Sequence, residues 1–197
     1  IISFWKLGSN RFPTTTWQPT AEKQQITFDF GNSEKFDAIY TIYGEGDTNS
    51  NPSAYQIGTN QIQIYASNDL KDWTHIASLN QGNIYTYAIE QGNWQYRYIK
   101  LININNNSSL TEIGFRNEDH TGFLPVSILR DKQKDGPYPG SLLIDEQDKL
   151  VLSPTYYDQA YFDEIYHVRN AWEIANGQYM YANVHPLLGT NIIALSI

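Results

Sequence analysis

From residue 24 to about residue 115, apolar residues recur at every second position, and that period limits what the chain can become. In QQITFDFG, Ile26, Phe28 and Phe30 alternate with Thr27 and Asp29. FDAIYTIYG follows, then NQIQIYAS with Ile62 and Ile64 on one face, DWTHIASL, NIYTYAIE, WQYRYIKLI and LTEIGF. Successive side chains of a strand point to opposite faces, so alternation describes a sheet with one side on a core and the other toward water. Each run has the length of a strand and is bounded by Gly, Asn, Asp or Ser, the residues that turn a chain. Regular short strands with such turns predict an antiparallel sandwich or jelly roll. The polar stretch GEGDTNSNPS, 44 to 53, reads as a surface loop.

The period is lost after residue 118. Residues 119–155 hold RDKQKDGPYPG, charged and rich in Pro and Gly, which reads as a linker, and LLIDEQDKLVLSP, which reads as short extended segments around a turn. From residue 156 to 197 the period becomes 3.6. Phe162, Ile165, Tyr166, Ala171, Trp172, Ile174 and Ala175 form an apolar stripe. Asp158 is placed as an N-cap or first-turn acid and Gly177 as the C-terminal stop. Arg169 and Glu173 are four apart and are expected to pair on the surface. Asp163, His167 and Asn170 share one face.

Charge and composition exclude several classes. The formal net charge of −8 argues against nucleic acid and against a polybasic membrane patch. The absence of Cys removes disulfides, thiol catalysis and zinc-thiolate sites together. No apolar run is long enough to span a bilayer, and no signal peptide is visible. The apolar ends, Ile1-Ile2 and HPLLGTNIIALSI, suggest a loop excised from between membrane helices, or ordinary apolar ends. Fifteen Tyr and five Trp suit a β-module that meets sugars, and equally suit β-structure in general.

Two sets of residues bear on chemistry. Asp47, Asp69 and Asp72 are oxygen donors of the kind calcium takes, or solvated turn acids. An acid in a cleft can act as general base on a hydroxyl. The adjacent Asp163 and Glu164 point about 100° apart on a helix, so only one can face a given site. His167, one turn on, can hydrogen-bond the same group, whereas the bland alternatives are a solvated acidic face and, for His185, a loop histidine.

The runs IQIYASNDLKDWTHIA and WQYRYIKLININNNSSLTEIGF resemble the discoidin, or coagulation-factor C-domain, family over residues 1–118. That resemblance implies a jelly-roll sandwich with Trp73 in the core, Arg97 in a strand, and ligand-binding loops at the strand ends. Family members often bind sugars or lipids, sometimes with a structural calcium. The family's usual Asp-Gly turn reads Asp69-Leu70 here.

DEQDKLVLSPTYYDQAYFDEIYHVRNAWE, NVHPLLG and KLGSNRFPTTTW resemble the first extracytoplasmic loop of bacterial protein O-mannosyltransferase-like enzymes, membrane glycosyltransferases that use lipid-phosphate sugars. The resemblance implies a cell-membrane protein acting on the extracytoplasmic face. Its donor would be a polyprenyl-phosphate sugar and its acceptor a protein or envelope-polymer hydroxyl. Asp163 would be the base and Glu164 would position the acceptor. His167 and His185 would line the cleft near phosphate, with a divalent cation at the acidic site or calcium in the sandwich as possible cofactors. The family motif usually reads HPPLGK, and this chain has His185-Pro186-Leu187-Leu188-Gly189-Thr190, which lacks the second Pro and the Lys. The fragment alone is expected to be inactive. The alternatives are a carbohydrate-binding discoidin-like module without catalysis and a scaffold without ligand. A glycosidase would need two acids across a cleft, which adjacent Asp163 and Glu164 do not provide.

Overall fold

The computed structural model describes residues 12–44, 62–79, 85–104, 109–161, 164–180 and 187–195. The chain is mainly β: an antiparallel sheet followed by a short helical part. The strands are β1 (Gln25–Tyr43), β2 (Ile62–Ser67), β3 (Thr74–Leu79), β4 (Tyr87–Asn103), β5 (Leu110–Arg116) and β6 (Ser127–Asp131). The order is β3-β2-β4-β1-β5, and β6 also pairs with β1. The runs NIYTYAIE and WQYRYIKLI belong to one long strand, β4, rather than two.

Two long strands make this one sheet behave as two layers. β1 pairs with β6 through Ile26–Asp29 and with β5 through Ala38–Tyr43. Between these halves, residues 30–33 bulge opposite Arg97, and Gly31 takes φ +85, a region that favours glycine. Arg97 ties the bulge down. Its Nε and Nη2 donate to both oxygens of Asp29, at 2.9 and 3.1 Å, and Asp29 Oδ1 also accepts the Gly31 amide at 2.7 Å. The Arg97 hydrogen bonds hold the Asp29 carboxyl below its ordinary range, against a smaller opposing push from burial.

The bend lets one half of the sheet fold over the other. Phe28, on the first half of β1, packs edge-on against Phe115 of β5, with ring centroids 6.2 Å apart. Phe115 also meets Phe30 at 5.1 Å and Phe36 at 5.8 Å. Around these rings Ile26, Ile39, Ile62, Ile64, Ile99, Leu101 and Ile113 are fully buried. They are the inward members of the period-two pattern, and burying each such side chain contributes roughly 1.5–3 kcal/mol.

The 119–155 segment, expected as a linker with short extended pieces, is bound into the sandwich. It contains β6, and Leu143 and Leu150 are buried against the sheet. Short 3-10 turns at Gly140–Leu143 and Gln147–Lys149 follow β6. Tyr40 Oη donates to the Leu152 carbonyl at 2.8 Å, and the Tyr40 ring meets Phe123. The second half of β1 is therefore buried on both faces.

Helices α1 (Glu164–Ala175) and α2 (Leu187–Ala194) pack on each other. Ile165 reaches the sandwich core, and the Ala160 amide donates to the Tyr85 carbonyl. Gly177, at φ +66, closes α1 as expected of a left-handed stop. Asp158 lies well before the helix and instead accepts the Thr155 amide and hydroxyl. No described helix is long and apolar enough to cross a membrane.

Candidate functional site: a cationic groove on the outer sheet face

Strand register builds a row of side chains across the outer face. Tyr65 of β2 stands opposite Lys100 of β4, Lys100 opposite Thr27 of β1, and Thr27 opposite Arg130 of β6. His75 of β3 stands opposite Tyr65 and packs edge-on against it, with centroids 5.3 Å apart. These are the outward members of the period-two runs whose inward members, Ile64, Leu101 and Phe28, form the core.

Over this row lies a groove of about 500 Å³, within the usual range of small-ligand sites. Gln25 and Thr27 lie at its floor, and Trp73, Lys100, Arg130, Lys132 and Lys134 stand around it. Lys100 Nζ sits 3.9 Å from the Trp73 ring centroid and 5.5 Å from that of Tyr65. Such cation–aromatic contacts contribute about 0.5–2 kcal/mol, more as water is excluded. Burial lowers the Lys100 pKa, because a desolvated ammonium is costly.

The turn that carries Trp73 is held by its own polar atoms. Ser67 Oγ accepts the amides of Asp69 and Leu70, at 3.2 and 3.0 Å. Asp69 Oδ1 accepts those of Lys71 and Asp72, both at 2.9 Å. Leu70 consequently adopts φ +64, at a cost of about 1–2 kcal/mol for a side-chain-bearing residue. This is the position where the discoidin pattern has Gly. The Trp73 indole N–H donates to the Leu70 carbonyl at 3.2 Å, which aims the ring along the groove. Trp73 is half-buried on the outer face and not in the core, contrary to the expectation from the family pattern. Arg97 does lie in a strand, as that pattern implies.

The residues singled out from sequence lie elsewhere. Asp163 and His185 are outside the described residues. Glu164 is exposed at the start of α1, and its Oε2 accepts the Tyr161 amide at 3.1 Å, a first-turn capping role. His167 is half-buried, with Nδ1 3.5 Å from Thr190 Oγ1, so α1 holds the helix that follows the His185-Pro186 motif. Arg169 and Glu173, expected on the surface, are 8% and 3% exposed and form a buried pair at 2.9 Å. The buried face of α1 is the one that carries Arg169, Asn170, Ala171 and Glu173, and the expected apolar stripe is only partly covered.

For calcium, Asp69 is turned into its own loop, and Asp47 lies outside the described residues. Among the described residues no group of three or more His, Cys, Asp or Glu converges. Sequence reading missed Lys100, Arg130, Lys132 and Lys134. A signal was present: Arg130, Lys132 and Lys134 cluster within five residues of a stretch read as linker, across the end of β6 and the turn after it.

No protein-family model and no curated protein matches this chain. Solved structures do show similarity. One is described as CpGH89CBM32-6 produced by Clostridium perfringens, 20% identical, covering 57% of this chain and 82% of that one, with TM-score 0.42. Another is the CBM32 of AlyQ in complex with 4,5-unsaturated mannuronic acid, 20% identical over 56% and 89%, TM-score 0.40. A third is a pectin binding carbohydrate binding module, 17% identical over 57% and 78%, TM-score 0.40.

Proposed function

We propose that this chain is a carbohydrate-binding β-module without catalysis of its own, and that the outer-face groove is its ligand surface. The observation that carries this is the Trp73 indole set in a groove of the outer sheet face that Lys100, Arg130, Lys132 and Lys134 also line. A sugar ring has an apolar C–H face and a polar hydroxyl rim. An aromatic plane beside Gln25, Thr27 and several ammonium donors complements both. Trp73→Ala is expected to weaken glycan binding at least about tenfold while leaving the fold intact, because the ring is not in the core. Titration of the full chain against a polysaccharide panel, with circular dichroism of the variant, checks this. Undiminished binding by a folded variant would place the ligand elsewhere.

A second reading attaches to the C-terminal segment, and the surface of α2 favours it. Leu188 and Ile192 are 73% and 60% exposed there, Leu195 just past its end is 90% exposed, and the same segment of the chain exposes Tyr156, Tyr157, Tyr161 and Tyr179. Apolar residues and tyrosines together suit a membrane edge. In this reading the chain is an extracytoplasmic portion of a membrane glycosyltransferase with a polyprenyl-phosphate sugar donor. Asp163 serves as base, with or without a divalent cation, and Glu164 positions the acceptor. His167 and His185 contact the donor phosphate, while the groove collects acceptor glycan. Asp163→Asn in the parent enzyme is expected to abolish transfer without loss of folded protein, and normal transfer by that variant would sink the reading.

A further inference from the structure

Four of the chain's thirteen Lys and Arg line this one groove, on a chain whose net charge is −8. None of the four makes an ion pair with a described residue. The one carboxylate among them, Asp131, is already engaged by the protein. Its Oδ1 accepts the Gln133 amide at 2.8 Å and its Oδ2 the Gly140 amide at 2.7 Å. Asp131 thus shapes the β6 exit, and four cations against its one carboxylate leave the lining with three net positive charges. Elsewhere among the described residues the cations that pair do so with acids: Arg97 with Asp29, Lys149 with Glu146 and Arg169 with Glu173.

Concentrating unpaired like charges raises the energy of the free protein, and a ligand of opposite sign relieves it. Lys100 is the most costly of the four, since it is half-buried between Thr27 and Trp73. The cations also come from separate elements, β4 for Lys100 and β6 with its exit for the others. Lys100 and Arg130 flank Thr27 in the strand register, two strands and so roughly 10 Å apart, a span that one extended ligand can cover.

We propose that the groove selects anionic glycans, chains whose sugar rings carry carboxylates, with Trp73 stacking a ring and Lys100, Arg130, Lys132 and Lys134 pairing the carboxylates. This deepens the carbohydrate-binding reading and rests on it. Salt-sensitive association follows, because exposed charges are screened over about 10 Å at 0.1 M ionic strength.

The test is calorimetric titration of the full chain with three probes at low and physiological salt: a linear oligogalacturonate, its fully methyl-esterified form and inorganic phosphate. The ester keeps the rings and removes the charge. The acid form is expected to bind at least about tenfold tighter than the ester, the loss of one charged hydrogen bond being enough for that factor. The double variant Arg130→Gln/Lys132→Gln should remove most of that difference, and both residues are exposed, so the fold stands. Equal binding of acid and ester, unchanged in the double variant, would overturn the charge selection and leave the glycan reading in place. Binding of neither sugar by a chain that takes another glycan of the panel would overturn the charge selection alone, and binding of no glycan at all would overturn both. Phosphate binding as tightly as the uronate, with no contribution from Trp73, would make the groove a simple anion site and overturn the glycan assignment.

Discussion

The sandwich and the C-terminal helical part solve the burial problem in opposite ways. In the sandwich, inward side chains such as Ile39, Ile64, Leu101 and Phe115 are completely covered and most charges stand outward, with Glu112 of β5 a buried exception. In the helical part a charged pair, Arg169 and Glu173, is covered while Leu188, Ile192 and Leu195 face outward. A sheet that folds over itself supplies both walls of its own core. Two short helices do not, so part of their apolar surface stays uncovered while α1 buries a polar pair.

Three substitutions act on this difference. Phe115→Ala empties a site shared by Phe28, Phe30 and Phe36. It should cost about 3–5 kcal/mol and lower the whole denaturant transition, read by tryptophan fluorescence. Arg169→Met breaks the buried pair and removes the guanidinium from beside the Glu173 carboxylate, a change of roughly 3–5 kcal/mol for a fully buried pair. Here the loss should be local: hydrogen exchange speeds up in Glu164–Ala175 while β4 and β1 stay protected. Uniform loss of protection would show that the helices are part of the sandwich's cooperative unit.

The third concerns two acids joined by one hydrogen bond. The Glu146 amide donates to Glu112 Oε2 at 3.0 Å, yet their carboxyls shift in opposite directions. Burial pushes Glu112 from 4.5 up to about 8, outweighing that hydrogen bond, and its Oε1 has no partner among the described residues. Glu146 is also pushed up by burial. A hydrogen bond from the Lys149 ammonium and others from the Thr15 and Thr14 amides outweigh this and bring it to about 2. For Glu112 the folded state holds the proton longer than the unfolded chain, so stability falls as pH rises from about 4.5 to about 8. For Glu146 the unfolded chain takes the proton first, so stability falls as pH drops from about 4.5 to about 2. Glu112→Gln should flatten the alkaline arm and raise stability above pH 8 by a kcal/mol or more, on the order set by the shift, leaving the acid arm intact. Thermal unfolding against pH reads both arms, and an unchanged alkaline arm would mean Glu112 is ionised in the folded state.

Much of this architecture was legible from residue order. Alternation in QQITFDFG or IQIY assigns each side chain to a face, because the strand period is two and depends only on neighbours. The 3.6 period after residue 160 and Gly177 mark a helix and its end for the same reason. The absence of Cys and the net charge of −8 bound the chemistry before any folding is considered. Less legible was the 119–155 stretch, where Pro and Gly hide a strand and two apolar anchors. Such residues signal turns whether or not the segment between them joins a sheet.

Local order could not show which faces meet. Lys100 and Arg130 are thirty residues apart and stand in one row only because β1 runs between β4 and β6 with Thr27 as their common neighbour. Trp73 meets Lys100 because Leu70 is held in a left-handed turn by backbone amides that donate to Ser67 and Asp69. Periodicity is written in consecutive residues, and sequence therefore settles that there are strands with two kinds of face. The groove and its charge depend on register between distant segments, which only the folded sheet decides, since pairing is chosen by burial of the opposite face.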